Sequence, residues 1–192
     1  MAHDWGGAIA WLFALAEVRP LERFIVMNLP HPLLFKRGLR TLKQLRRSWY
    51  IFFFQLPWLP EALLGANGAR RVSGMIRGSA TRKERFPGEV LEVYRRNANQ
   101  PGAIRAMLAY YRAYLRHGVD RDLARAAVTK LETPTLMIWG EDDIALGKEL
   151  TVGTEDLVTD LTLRYLPGVA HWVQQEAPDL VNGVLEEFLT GI

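Results

Sequence analysis

An aspartate stands in the stretch Ala2-His3-Asp4-Trp5-Gly6-Gly7, framed by small residues and directly ahead of an apolar, alanine-rich run from Gly6 to Glu17. Small-x-nucleophile-x-small-small is the pattern of a strand-to-helix turn so tight that larger side chains would collide. The central residue of such a turn sits in strained backbone, which lifts its functional group above the sheet. The first amides of the following helix point toward negative charge and stabilise an oxyanion. With a carboxylate at the projecting position, the natural chemistry is attack of its oxygen on an sp3 carbon. Taken alone, Asp4 would serve equally well as the cap of a helix near the start of the chain.

Two downstream residues shift that balance. Asp143 lies in the turn Gly140-Glu141-Asp142-Asp143, just past a short apolar strand over Thr135–Trp139. His171 lies in Pro167-Gly168-Val169-Ala170-His171, just past a second strand over Leu161–Leu166. Nucleophile, acid, histidine is the chain order of the α/β-hydrolase triad. All three fall at the carboxyl ends of strands, where open α/β sheets bind ligands. A lone loop histidine is more often structural, but Gly-x-x-His-Trp following Gly-Glu-x-Asp is a sharper signal.

The elements that must hold these groups are legible from periodicity. Pro20 closes the first helix, and Phe24–Asn28 is a short strand ending at Pro30-His31-Pro32. From Leu33 to about Ala127 the periods are helical, arginines are frequent and no strand is evident. Lys36, Arg40, Lys43 and Arg47 recur three and four apart, which predicts one basic helix face, with Leu39, Leu42 and Leu45 on another. Such a face is most often simply solvated and less often touches anionic lipid. Pro178–Leu189 reads as a closing amphipathic helix with Leu180, Val184, Leu185 and Phe188 inward. Strands alternating with helices predict an α/β class and a parallel sheet covered on both faces. Residues 1–32 and 128–192 are expected to form the core, with 33–127 a helical cap inserted between them.

Composition narrows the classes. The 192 residues suit one domain or a core with a modest subdomain, and 49% hydrophobic residues suffice for a buried core. A net charge of +3, without zinc spacing or an aromatic RNA-binding motif, does not argue for nucleic acid. The absence of cysteine excludes disulfides, thiolate ligands and a cysteine nucleophile. No signal peptide is visible at Met1. The apolar stretch Trp49–Ala66 is interrupted by Gln55, Pro57, Pro60 and Glu61, whereas a spanning helix needs ~20 mostly apolar residues. The expected location is the cytoplasm, with any membrane contact peripheral.

Four motifs together carry a family resemblance: His3-Asp4-Trp5-Gly6-Gly7, Asn28-Leu29-Pro30-His31-Pro32, Trp139-Gly140-Glu141-Asp142-Asp143 and Gly168-Val169-Ala170-His171-Trp172. With them the chain resembles the soluble α/β-hydrolase epoxide hydrolases, from their nucleophile elbow to the C-terminus. The segment Ser48–Glu61, SWYIFFFQLPWLPE, resembles the first part of that family's cap. The resemblance implies a partial α/β-hydrolase fold, with about three parallel strands of the family's eight-stranded sheet. It implies Asp4 as nucleophile, His171 as general base and Asp143 as the acid that orients it. It also implies two cap tyrosines that hold the epoxide oxygen. Tyr50, five residues before Gln55, matches the first, and Tyr111 in Ala109-Tyr110-Tyr111-Arg112 matches the second. Tyr110 and Tyr114 remain alternatives, because one residue of slip turns a helical side chain by about 100°. The backbone amide of Trp5 is the implied oxyanion donor, and Trp5, Phe54 and Trp172 the implied substrate contacts. Neither metal nor organic cofactor is implied, and the implied partner is a small lipophilic epoxide. The aromatic segment Trp49, Phe52, Phe53, Phe54 and Trp58 predicts an apolar pocket for it.

Haloalkane dehalogenases share the aspartate, the triad order and the tryptophan after the nucleophile, but hold halide with Trp or Asn. The two tyrosines therefore favour an epoxide, and a serine would be expected at position 4 for ester hydrolysis. The family's early His-Gly-x-Pro loop, which gives a second oxyanion amide, has no counterpart in these residues. The chain is accordingly expected to be N-terminally truncated relative to that family. The strand at Phe24–Asn28 should then lack its inner neighbour, leaving an edge open to pairing or aggregation. A catalytically inactive chain acting as a binding module is the alternative of a different class.

Overall fold

The computed structural model describes residues 1–117 and 130–191. Four parallel strands, β1 (Ala2–His3), β2 (Phe24–Met27), β3 (Thr135–Gly140) and β4 (Leu161–Leu166), pair in chain order. Helix α1 (Asp4–Leu15) follows β1 without a break, and helices α8 (Val173–Glu176) and α9 (Pro178–Thr190) follow β4. Between β2 and β3 the described residues form α2 (Pro32–Gly38), α3 (Leu42–Arg47), α4 (Trp49–Phe53), α5 (Leu59–Gly78), α6 (Gly88–Ala98) and α7 (Ala103–His117). The expected end of the helical insert, at 127, lies outside the described residues.

Period-two alternation with both faces buried explains why β2 and β3 read as continuous apolar runs. Phe24, Val26, Met137 and Trp139 face one way, packing with Trp11 and Leu15 of α1. Ile25, Met27, Leu136 and Ile138 face the other, against Val173 of α8 and Val181 of α9. The insert has its own apolar cluster of Phe54, Leu64, Ala69, Val72, Ala98 and Leu108.

Several expectations are corrected. The edge of β2 is not bare: Ala2 and His3 pair with Val26 and Met27, so two of its four residues have a partner on that side. The basic residues Lys36 to Arg47 do not share one helix face. Thr41 accepts the Gln44 amide and caps a new helix there, so α2 ends at Gly38 and Arg40 lies in the turn. In α9 the inward row is Val181, Val184, Leu185 and Phe188, while Leu180, one step or about 100° away, is exposed. Of the aromatic segment only Phe53 and Phe54 join the insert's cluster; Trp49, Phe52 and Trp58 stand in solvent. Among the described residues no helix is long and apolar enough to cross a membrane.

The cap of α2 has a pH consequence. His31 is fully buried, 4.9 Å edge-on to Trp11, and its Nδ1 accepts the Leu33 amide. Burial pushes its imidazole from 6.5 down to about 4, so the folded chain keeps it neutral while the unfolded chain protonates it. This contribution is full above pH 6.5 and is lost as pH falls through the window down to about 4. Denaturant titrations across that window should show a loss of up to ~3 kcal/mol from this group. His31→Asn, which can still cap but cannot titrate, should lose that share of the slope.

Candidate active site

Asp4 occupies the first position of α1 with φ +49°, the left-handed region that costs a non-glycine residue backbone strain. Strand β1 anchors it from behind and α1 from ahead, and Gly7 packs where a Cβ would lie 3.1 Å from Leu29. Trp5, next in the helix, carries one of the initial amides that have no carbonyl partner within a helix.

Asp143 and His171 converge on Asp4 from the ends of β3 and β4. His171 Nδ1 donates to Asp143 Oδ2 at 2.7 Å, and its Nε2 faces Asp4 Oδ1 at 3.7 Å, beyond a hydrogen bond. Burial alone would raise Asp143, but the hydrogen bond and charge of His171, with the Leu146 amide and Asn28, hold it below the usual carboxylate range. Its Oδ1 accepts the amides of Ala145 and Leu146 at 2.8 and 3.0 Å. Burial alone would lower His171, yet Asp143, Asp4 and Glu176 raise it above an ordinary imidazole. One ring nitrogen of His171 is thus held by a buried carboxylate while the other faces a second.

Two phenols approach the site from the insert. Tyr50 of α4 and Tyr111 of α7 lie edge to face, ring centroids 5.8 Å apart. Burial raises Tyr50, with Tyr111 and Asp4 adding to it, and burial with Asp4 raises Tyr111 to about 12. Both hydroxyls therefore stay protonated at neutral pH and are donors. Trp5 lies 4.9 Å from Tyr111 and hydrogen-bonds its hydroxyl. Tyr110 is half exposed, and Tyr114 packs between Trp5 and Phe35, so Tyr111 is the one that meets Tyr50. Phe54 is buried against both site tyrosines. Trp172 stands edge-on to His171 at 5.0 Å, its indole donating to Ser79.

Three residues without a role in the sequence reading hold these groups in place. Asn28 ends β2 with φ +39°; its Nδ2 donates to Asp143 at 2.8 Å while its Oδ1 accepts the Gly140 amide. His3 Nε2 donates to the His171 carbonyl at 2.8 Å. Burial first, then the nearby His171, lowers the His3 imidazole to about 4, so it acts as a neutral strut. Glu176, fully buried, accepts amides of Thr81 and Arg82 from the insert and of Ala170 and Trp172 from the histidine loop. Asn28 signalled itself by its place at a strand's carboxyl end, whereas nothing local marks Glu176. Among the described residues no group of three or more His, Asp or Glu is placed to hold a metal.

Residues 1–178 match the alpha/beta hydrolase fold family. The chain is 35% identical to human epoxide hydrolase 4 over 98% of its own length and 52% of that protein's. It is 37% identical to the AB hydrolase superfamily protein YfhM of Bacillus subtilis, over 98% of this chain and 64% of that one. The crystal structure of a Bacillus megaterium epoxide hydrolase in complex with an inhibitor superposes with a TM-score of 0.79 at 29% identity, covering 98% of this chain and 67% of that chain. The chain spans about half the length of the curated epoxide hydrolases it matches.

Proposed function

The chain belongs to the alpha/beta hydrolase fold family, and from that premise we propose that its site opens lipophilic epoxides to vicinal diols through an ester on Asp4. The observation that carries the reading is a pair of protonated phenols, Tyr50 and Tyr111, meeting across the site from a carboxylate that faces His171.

An Asp4 oxygen attacks a ring carbon, the strained C–O bond breaks, and the leaving oxygen takes a proton from one of the two phenols. The second phenol keeps its hydrogen bond to that oxygen. Neutral His171 then removes a proton from water, and the water oxygen attacks the Asp4 carbonyl carbon. The Trp5 amide receives the developing oxyanion. Collapse breaks the ester; the diol oxygen leaves with the proton from His171, and the remaining proton of the attacking water restores the tyrosine. One water and one epoxide give one diol, and the residues return to their starting states. The helical insert acts here as a cap that brings the acids over the nucleophile.

Tyrosine substitutions test the reading. Tyr50→Phe and Tyr111→Phe should each lower kcat for styrene oxide by ~10²-fold, the range of a lost acid catalyst. The double variant should lose more than either. Unchanged diol formation in the double variant would remove the two phenols from the mechanism, and no diol formation by the unaltered chain would remove the epoxide reading. The acid limb of the pH–rate profile should lie above 6.5, because His171 must be neutral to act and its folded value is raised.

A further inference from the structure

The segment between Glu22 and Glu61 contains no acidic residue, yet carries Lys36, Arg37, Arg40, Lys43, Arg46 and Arg47. Within it α3 and α4 follow one another with only Ser48 between, and their polarity is inverted. The inward side holds Gln44, Ser48 and Ile51, all buried. Gln44 donates to Ser48 and to the Ala145 carbonyl, which satisfies that polar interior. The outward side holds Leu42, Leu45, Trp49, Phe52 and Leu56, spaced three and four apart and all exposed, with Trp58 just beyond. Leu42 is 72% exposed, Trp49 63% and Trp58 73%. Isolated exposed apolar residues are ordinary, but a row of them at helical spacing marks an interaction surface.

The flanking charge identifies the partner. Arg46 falls one turn from both Leu42 and Trp49, and Arg40 lies in the turn leading into α3. Glu149 pairs with Lys43 at 3.0 Å and Arg47 at 3.7 Å, which offsets part of this charge but leaves the exposed Arg37, Arg40 and Arg46 unmatched by any acid of their own segment. Aromatic and leucine side chains with cations along one border suit the headgroup region of a bilayer, where rings enter the acyl boundary and cations meet phosphates. We infer that the outer face of α3 and α4 docks this chain peripherally on anionic lipid, with Leu42, Leu45, Trp49, Phe52, Leu56 and Trp58 entering the interface. Tyr50, between Trp49 and Ile51, faces the site on the same short helix, so lipid surface and site are one helix width apart. Docking itself is independent of the chemistry at Asp4.

The test is co-sedimentation of the 192-residue chain with phosphatidylcholine vesicles, with and without phosphatidylserine, alongside tryptophan emission and size-exclusion chromatography. Binding and a blue shift are expected with phosphatidylserine and should weaken as salt rises. Trp49→Ser with Phe52→Ser should weaken partition more than about tenfold, since burying each ring is worth more than one decade. Arg40→Gln with Arg46→Gln leaves the apolar row intact and should reduce binding only to the phosphatidylserine vesicles. Absence of vesicle binding by the unaltered chain would overturn the inference, as would binding by both double variants as strong as that of the unaltered chain. An oligomer in buffer that Trp49→Ser with Phe52→Ser converts to monomer, without vesicle binding, would assign the surface to a second copy instead.

Discussion

Asp4→Ala should abolish diol formation, with kcat falling by ~10⁴-fold or more, the scale on which loss of a covalent nucleophile registers. No neighbour can substitute. Asp143 is buried, and both its oxygens are held by His171, Asn28 and the amides of Ala145 and Leu146. Glu176 is likewise buried, beneath four backbone amides. Alanine at φ +49° inherits the strain of the elbow without carboxylate contacts to offset it, at a cost of ~1–2 kcal/mol. A circular dichroism melt beside the assay separates that loss of stability from the loss of chemistry. Diol formation persisting in Asp4→Ala at a rate near that of the unaltered chain would refute covalent catalysis through this residue.

His171→Gln should separate the two halves of the reaction. Attack by Asp4 needs no base, so the first epoxide should still be opened. Hydrolysis of the ester needs one, so steady turnover should fall by ~10³–10⁴-fold. The expected result is a burst of one equivalent, and mass spectrometry of the intact chain should find the substrate's mass added to it. Peptide mapping should place that mass on the segment containing Asp4. Loss of both burst and turnover would indicate that His171 acts before the ester forms, which the 3.7 Å gap to Asp4 does not require.

How far the sequence alone reaches depends on the range of the interaction that fixes each feature. The elbow at Asp4, the turn ending in Asp143 and the loop bearing His171 were legible because strained turns and short buried strands have local signatures. The strands observed at 24–27, 135–140 and 161–166 match those expected to within one residue. Helix boundaries in the insert were less legible. The charge spacing from Lys36 to Arg47 fits one helix, and only the Thr41 cap and the buried polar contacts of Gln44 break it in two. The side of the aromatic segment that meets solvent was likewise hidden, since Trp49 and Phe54 look alike until the insert's own core selects one of them.

By itself, then, the sequence singled out Asp4, Asp143 and His171, their order, and the α/β class that sets them at strand ends. Each of these follows from residue type and near-neighbour spacing. Tertiary structure alone decided that Tyr111, of three tyrosines on one helix, is the one that meets Tyr50. It also decided that Asn28 steadies Asp143, and that Glu176 ties the histidine loop to the insert. Those choices rest on contacts between segments far apart in the chain, where rotation of a helix by one residue or the close approach of two loops selects the partner.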